Sequence, residues 1–315
     1  MEIEHLAHGV GPHGLTMAYT SHGDDEHPAV VLITGLGAQL NAWPPDLVAA
    51  LVRQGLRVIA IDNRDTGRST HFTSTHPVDF AALVGGDVSS APYDLYDMAD
   101  DTVGLFDSLG LPAAHVVGAS MGAGIAQCAA IKYPQRVTSL TTMMWTTGES
   151  GVGHMHPATE AFVFGGAPPT TEEEVVARAV RSAAFLTSPA YPIDVAEVAD
   201  RARAAFARAH DPWATARTGS AVIATGDRTS RLRDLDVPTL VIHGTADTMV
   251  DPSGGRATAA AIPGARLELI EGMGHSLPRP LRGRIAELIG EIVAEGERRR
   301  TEKRVTGAVE LGARR

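Results

Sequence analysis

Val116-Val117-Gly118-Ala119-Ser120-Met121-Gly122-Ala123-Gly124 sets a serine between a short apolar run and an Ala-rich stretch of helical character. The pattern is Gly-x-Ser-x-Gly, in which strand gives way to helix so abruptly that the residues two before and two after the serine must be small. A Cβ at Gly118 or Gly122 would collide with the crossing backbone, and the strained turn pushes the Ser120 hydroxyl out above the sheet. A hydroxyl is a poor nucleophile until a base takes its proton, so a histidine has to reach it from elsewhere in the chain.

Outward from this turn, residues 30–34, 56–61 and 115–117 are short apolar runs with helix-like segments between them. Buried strands alternating with helices predict a mostly parallel sheet covered on both faces, an α/β architecture. Residues 139–144, 239–243 and 266–270 read as further strands, and the helix after the serine, about residues 121–133, stops at Pro134. Between residues 146 and 234 the strand rhythm ceases. Residues 172–185 and 195–209 read there as amphipathic helices, flanked by Pro168-Pro169, Pro189, Pro192 and Pro212. The expected division is a core at 1–145, a helical lid inserted at 146–234, the second part of the core at 235–295, and a basic, flexible tail at 296–315.

Among thirteen histidines, His275 is the best placed base: Glu271-Gly272-Met273-Gly274-His275 follows a strand directly, and its glycines let the loop turn inward. His243 ends a strand and reads as packing, while His154 and His156 read as solvent-facing. Asp247 follows the strand at 239–243, at the edge where an open parallel sheet gathers functional groups. Asp251 is its rival, since either satisfies the chain order Ser, Asp, His; nearness to the strand favours Asp247. Acyl transfer also needs two N–H donors for the oxyanion. Met121 supplies one, and Leu36 in Thr34-Gly35-Leu36-Gly37-Ala38 is the candidate for the other. Gly35, Trp43, Trp145 and Met249 are the expected substrate contacts, with Phe162 or Phe164 from the lid, and together they predict an apolar acyl group.

Other functions are disfavoured by composition. A formal charge of −10, with no basic stripe interleaved with aromatics, argues against nucleic acid. Residues 1–11 lack a basic start and an apolar run, and no stretch of about 18 apolar residues occurs; a cytoplasmic protein with no membrane partner is expected. Cys128 is the only cysteine, so neither an intrachain disulfide nor a Cys-based metal site can form. With no His-Glu-x-x-His, P-loop or complete Gly-x-Gly-x-x-Gly, no metal and no cofactor are expected. The expected partner is a small apolar ester, and a homodimer is left open.

Over residues 15–295 the chain resembles the α/β-hydrolase family. The resemblance is carried by Thr34-Gly35-Leu36-Gly37, Asp62-Asn63-Arg64-Asp65-Thr66-Gly67-Arg68-Ser69, Gly118-Ala119-Ser120-Met121-Gly122, His243-Gly244-Thr245-Ala246-Asp247 and Gly274-His275. It implies an eight-stranded, mostly parallel sheet with helices on both faces and a catalytic set of Ser120, Asp247 and His275. Arg64-Asp65-Thr66-Gly67-Arg68-Ser69-Thr70 with Trp43-Pro44 is similar to the aclacinomycin methylesterase group, whose members cleave a methyl ester of a polyketide. Thr34 stands where the family usually has histidine, and Asn63 to Ser69 reads as a structural turn with Arg64 bracing the loop near the nucleophile. The expected reaction is ester hydrolysis through an acyl-enzyme. The alternatives are hydrolysis of a lactone, a carbon–carbon bond or a prolyl peptide, a cofactor-free perhydrolase, or a ligand-binding protein on the same fold.

Overall fold

The computed structural model describes residues 3–73, 77–163 and 165–313, with side chains up to residue 303. Eight strands, β1 (Glu4–Val10), β2 (Leu15–His22), β3 (Ala29–Ile33), β4 (Arg57–Ile61), β5 (Ala114–Ala119), β6 (Val137–Met143), β7 (Thr239–Gly244) and β8 (Arg266–Ile270), form one sheet in the order β1-β2-β4-β3-β5-β6-β7-β8. β1 pairs antiparallel with β2 and β2 with β4; every later pair is parallel. β3 and β5 are buried along nearly their whole length, because helices cover both faces and leave no side of the strand for water.

The helices among the described residues are α1 (Pro45–Val52), α2 (Phe80–Val84), α3 (Leu95–Ser108), α4 (Met121–Lys132), α5 (Pro157–Val163), α6 (Glu172–Leu186), α7 (Val195–Arg208), α8 (Ala214–Thr225), α9 (Thr229–Leu232), α10 (Ser253–Ala261) and α11 (Arg282–Ala313). Alternate residues of β3 split the core in two. Val31 and Ile33 pack with α3 and α4 on one face, while Val30 and Leu32 pack with Leu47 and Leu51 of α1 and Ile285 and Ile289 of α11 on the other. None of the described helices is long and apolar enough to cross a membrane. The buried Cys128 of α4 has its thiol pushed up to about 12 by desolvation, which makes it a poor nucleophile.

Two parts of the chain differ from the sequence reading. Residues 4–22 form an antiparallel hairpin at the sheet edge, whose outer strand is largely exposed and so carries no continuous apolar run. The segment expected as a flexible tail is instead the continuation of α11, helical to Ala313. The apolar face of that helix is anchored by Leu288, Ile292 and Val293. Beyond them Glu295–Arg299 and Arg298–Glu302 pair at helical spacing, and Lys303 pairs with Asp236. Arg314 and Arg315 lie outside the described residues.

The strand order fixes where a site can form. The chain leaves β3 toward β4 on one side and returns to β5 on the other, so the loops after β3 and β5 diverge and open a crevice above adjacent strand ends. Closing the turn beneath it requires two missing side chains. A Cβ on Gly118 would lie 2.1 Å from the Gly122 carbonyl oxygen, and one on Gly122 would lie 2.2 Å from that of Ile33. Gly118→Ala and Gly122→Ala are each expected to destabilise by about 1–3 kcal/mol or more. Gly219→Ala in α8, where the new methyl meets only Leu36 and Phe80 at 4.0 Å, should instead stabilise by roughly 0.5–1 kcal/mol. Denaturant midpoints of the three variants check this ordering.

Candidate active site

Ser120 sits between the last residue of β5 and the first of α4 with φ 54° and ψ −128°, a conformation that costs a residue with a Cβ on the order of 1–3 kcal/mol. The surroundings hold it there. Its N–H donates to Met143 O at 2.9 Å, and its carbonyl accepts from Ala123 N at 2.8 Å at the start of the helix. The half-buried side chain is thereby turned away from both elements into the crevice.

His275 arrives on the loop after β8. Gly272, at φ +70°, bends this loop, and Gly274 lets it pass close to the backbone of Leu186 at the end of α6. The ring is largely buried, with Nε2 2.9 Å from Ser120 Oγ and Nδ1 2.7 Å from Asp247 Oδ2. A carboxylate only accepts, so Nδ1 carries the proton and the Nε2 lone pair faces the serine hydroxyl. Asp247 is fixed in turn by the N–H groups of Met249 and Val250, which donate to Oδ1 at 2.9 and 3.0 Å. Burial by itself would raise this carboxyl; the charge of His275 and hydrogen bonds from His243, His275 and Val250 N–H outweigh it and hold the group well below the usual carboxylate range. The rival Asp251 is turned elsewhere, accepting from Ser253 N at 2.9 Å and His154 N at 2.6 Å.

The loop after β3 lies against the nucleophile. A Cβ on Gly35 would be 3.0 Å from Ser120 Cβ, so only glycine lets the chain pass this close. The N–H groups of Leu36 and Met121 have no hydrogen-bond partner among the described residues. Thr34, where a histidine was the familiar residue, ties the loop on itself: its Oγ1 donates to Ala38 O at 2.7 Å. Asn63 Nδ2 donates to Thr34 O at 3.1 Å and Asp62 Oδ1 accepts from Leu40 N at 2.7 Å, so the segment after β4 braces the loop from below. Arg64 is not the brace. Fully buried, it forks onto Asp101 of α3 at 2.6 and 2.8 Å and stacks on Tyr93, fastening α3 to the sheet instead.

The expected substrate contacts divide. Gly35 touches Ser120, and Met249 is partly buried beside the acid. Trp43 and Trp145, at 5% and 9% exposure, belong to the two apolar cores, and so pack the fold rather than offer a face to a ligand. Leu36, at 39% exposure, faces Gly219 of α8, and Phe162 stacks on Phe185 at 4.8 Å. Phe164 lies outside the described residues.

Sequence reasoning missed the polar clamps that join α7 and α8 to the core. Arg208 pairs with Asp62 at 2.6 Å and Glu4 at 2.7 Å, and Gln39 Nε2 donates to the carbonyls of Ala205 and Ala209 at the end of α7. Even with Arg208 beside it, burial pushes the Asp62 carboxyl above its ordinary value. Arg217 of α8 pairs with Asp65 at 2.7 Å and Asp211 at 2.5 Å. Asp65, His71 and Asp211 are the one group among the described residues spaced to hold a metal ion, and the Arg217 guanidinium is already paired with both carboxylates. Apart from Arg217 and Asp211, the partners lie so far apart in sequence that no local spacing signals them.

The family model described as the alpha/beta hydrolase fold matches residues 28–278. The chain is 30% identical over 279 residues to rhodomycin D methylesterase DnrP of Streptomyces peucetius, covering 81% of this chain and 87% of that protein. It is 23% identical to 3-oxoadipate enol-lactonase 2 of Acinetobacter baylyi, with 86% and 91% covered. The solved structure of a meta-cleavage product hydrolase from Pseudomonas fluorescens IP01 has a TM-score of 0.69 at 22% identity, covering 91% of this chain and 97% of that one, and shares the fold. The family match runs from just before β3 to just past the loop bearing His275, leaving out only the N-terminal hairpin and the last helix, and the chain belongs to the α/β-hydrolase family.

Proposed function

We propose that the chain is a serine esterase acting on a small apolar carboxylic ester, with a polyketide methyl ester as the substrate class, and that residues 146–234 are its lid. The observation that carries the reading is the unbroken relay from Ser120 Oγ through His275 to Asp247. The substrate class is supported by the likeness to rhodomycin D methylesterase.

In this reading Ser120 Oγ attacks the ester carbonyl carbon while its proton passes to His275 Nε2. The N–H groups of Leu36 and Met121 receive the negative charge that forms on the carbonyl oxygen. Collapse of the tetrahedral species returns the proton to the leaving alcohol oxygen and leaves an acyl-serine. His275 then takes a proton from water, the hydroxide adds to the acyl carbon, and the acid departs as Ser120 regains its proton. Asp247 stays a carboxylate throughout, holding the Nδ1–H tautomer and offsetting the charge of the imidazolium. Ester and water balance the cycle.

Ser120→Ala is expected to lower turnover of a short p-nitrophenyl ester by about 10⁶-fold, as loss of the nucleophile does in serine proteases. Asp247→Asn should cost about 10⁴-fold by stabilising the wrong tautomer, and Asp251→Asn should leave turnover near that of the parent. A panel of short and long acyl esters, lactones and aromatic polyketide methyl esters tests the class. Turnover of lactones and of no ester would sink the ester assignment, and ligand-induced stabilisation without any turnover would sink the enzyme.

The carboxyl of Asp247 also predicts a pH effect on folding. Its folded value lies below its unfolded one, so its contribution is complete above the unfolded carboxylate value and is lost as pH falls toward the folded value. The stability gap between the parent and Asp247→Asn should therefore be widest near neutral pH and close in acid, as read by denaturant unfolding at a series of pH values.

A further inference from the structure

His243, next to last in β7, is fully inaccessible to solvent and takes no part in the proton relay. Its Nε2 lies 2.8 Å from Val250 O and 3.4 Å from Asp247 Oδ2. A carbonyl only accepts, so the proton is on Nε2, leaving the lone pair on Nδ1, which has no hydrogen-bond partner among the described residues. An unpaired buried acceptor is a cost that an apolar ring in the same space would avoid. Packing alone therefore does not account for a histidine; what it adds is the Nε2–H.

That N–H is aimed at the turn carrying the acid. Asp247 Oδ1 accepts from the N–H groups of Met249 and Val250, and the carbonyl of the same Val250 is the group that His243 holds. One ring thus pins the far end of the turn. It also presents its N–H dipole to Oδ2, the oxygen that receives His275 Nδ1–H. Helix α10 shuts the ring in from behind: a Cβ on Gly255 would lie 2.5 Å from His243 Nδ1, so the imidazole has no room to swing away.

We propose that His243 is a positioning residue for the triad, a donor that locks the Asp247–Val250 turn so that the carboxylate meets His275 in line. The inference rests on the serine-esterase reading above. Its test compares His243→Gln with His243→Met, two side chains of similar length of which only the first ends in an N–H donor. kcat and KM are measured separately on a short p-nitrophenyl ester, with urea midpoints alongside.

His243→Met is expected to lower kcat by up to about 10²-fold, the scale of an ångström-sized misplacement of a catalytic group, with KM little changed. His243→Gln should recover most of the loss. Equal kcat in the two variants overturns the proposal, whether both match the parent or both fall in step with their urea midpoints. Should His243→Met not fold, Gly255→Ala takes its place: it presses on the ring and should lower kcat selectively, and an unchanged kcat overturns the proposal. A parent that turns over no ester and is unaffected by Ser120→Ala marks failure of the esterase reading, whereas an active parent with Gln and Met variants alike marks failure of this one alone.

Discussion

A serine forced to φ 54° between β5 and α4 is the constraint on which the remaining geometry turns. An unfavourable backbone conformation persists only where its neighbours over-determine it, and here each neighbour also has a part in the crevice. No side chain caps the first turn of α4, and the Met121 N–H at its start has no hydrogen-bond partner among the described residues. Met143 of β6 accepts the Ser120 N–H, tying the bend to the next strand. The carbonyls at the end of β3 lie within contact of Gly122, so the loop that continues from them is delivered beside the hydroxyl. Strain in one residue and closeness of three elements are one arrangement seen from two sides.

Polar groups hold the remaining members in register. Asp247 receives two backbone N–H groups on one oxygen and an imidazole N–H on the other, so its carboxylate is held in a single orientation. The β3 loop is fixed in a comparable way by Thr34 Oγ1 and Asn63 Nδ2. Neither device needs a histidine at position 34. The loop's own hydroxyl closes the turn, which explains how the chain keeps the loop's shape without the more familiar residue.

Much of this was legible from residues 116–124 and the apolar runs around them. Parallel strands covered on both faces are written as short apolar segments, and β3, β4, β5 and β7 follow that rule closely, while β6 carries threonines and a serine and the edge strand β8 is half-exposed and interrupted by Glu268. The hairpin at residues 4–22 follows a different rule, one face wet and one dry, and its signal is dispersed. The helical extension past Gly296 was hidden by its charge: a polar stretch looks like a frayed end until its acids and bases are read at helical spacing. Trp43 lies close to the Thr34–Gly37 loop in sequence and Trp145 follows β6, but both side chains are buried in the cores. Asp247 and Asp251 are equivalent in order along the chain. What separates them is the direction of a four-residue turn, information that resides in hydrogen bonds rather than in residue types.

The clamps at Asp62 and Asp65 bear on how the protein could be taken apart. Both aspartates belong to the core, yet the guanidinium groups that neutralise them, Arg208 and Arg217, come from α7 and α8. Excising those helices would strip two interior carboxylates of their counter-ions at a cost of about 3–5 kcal/mol each, comparable to the entire margin by which a domain of this kind stays folded. A trimmed core, or a chimera that grafts a foreign helical segment between β6 and β7, would have to replace both acids with neutral residues or import two new cations at the same places.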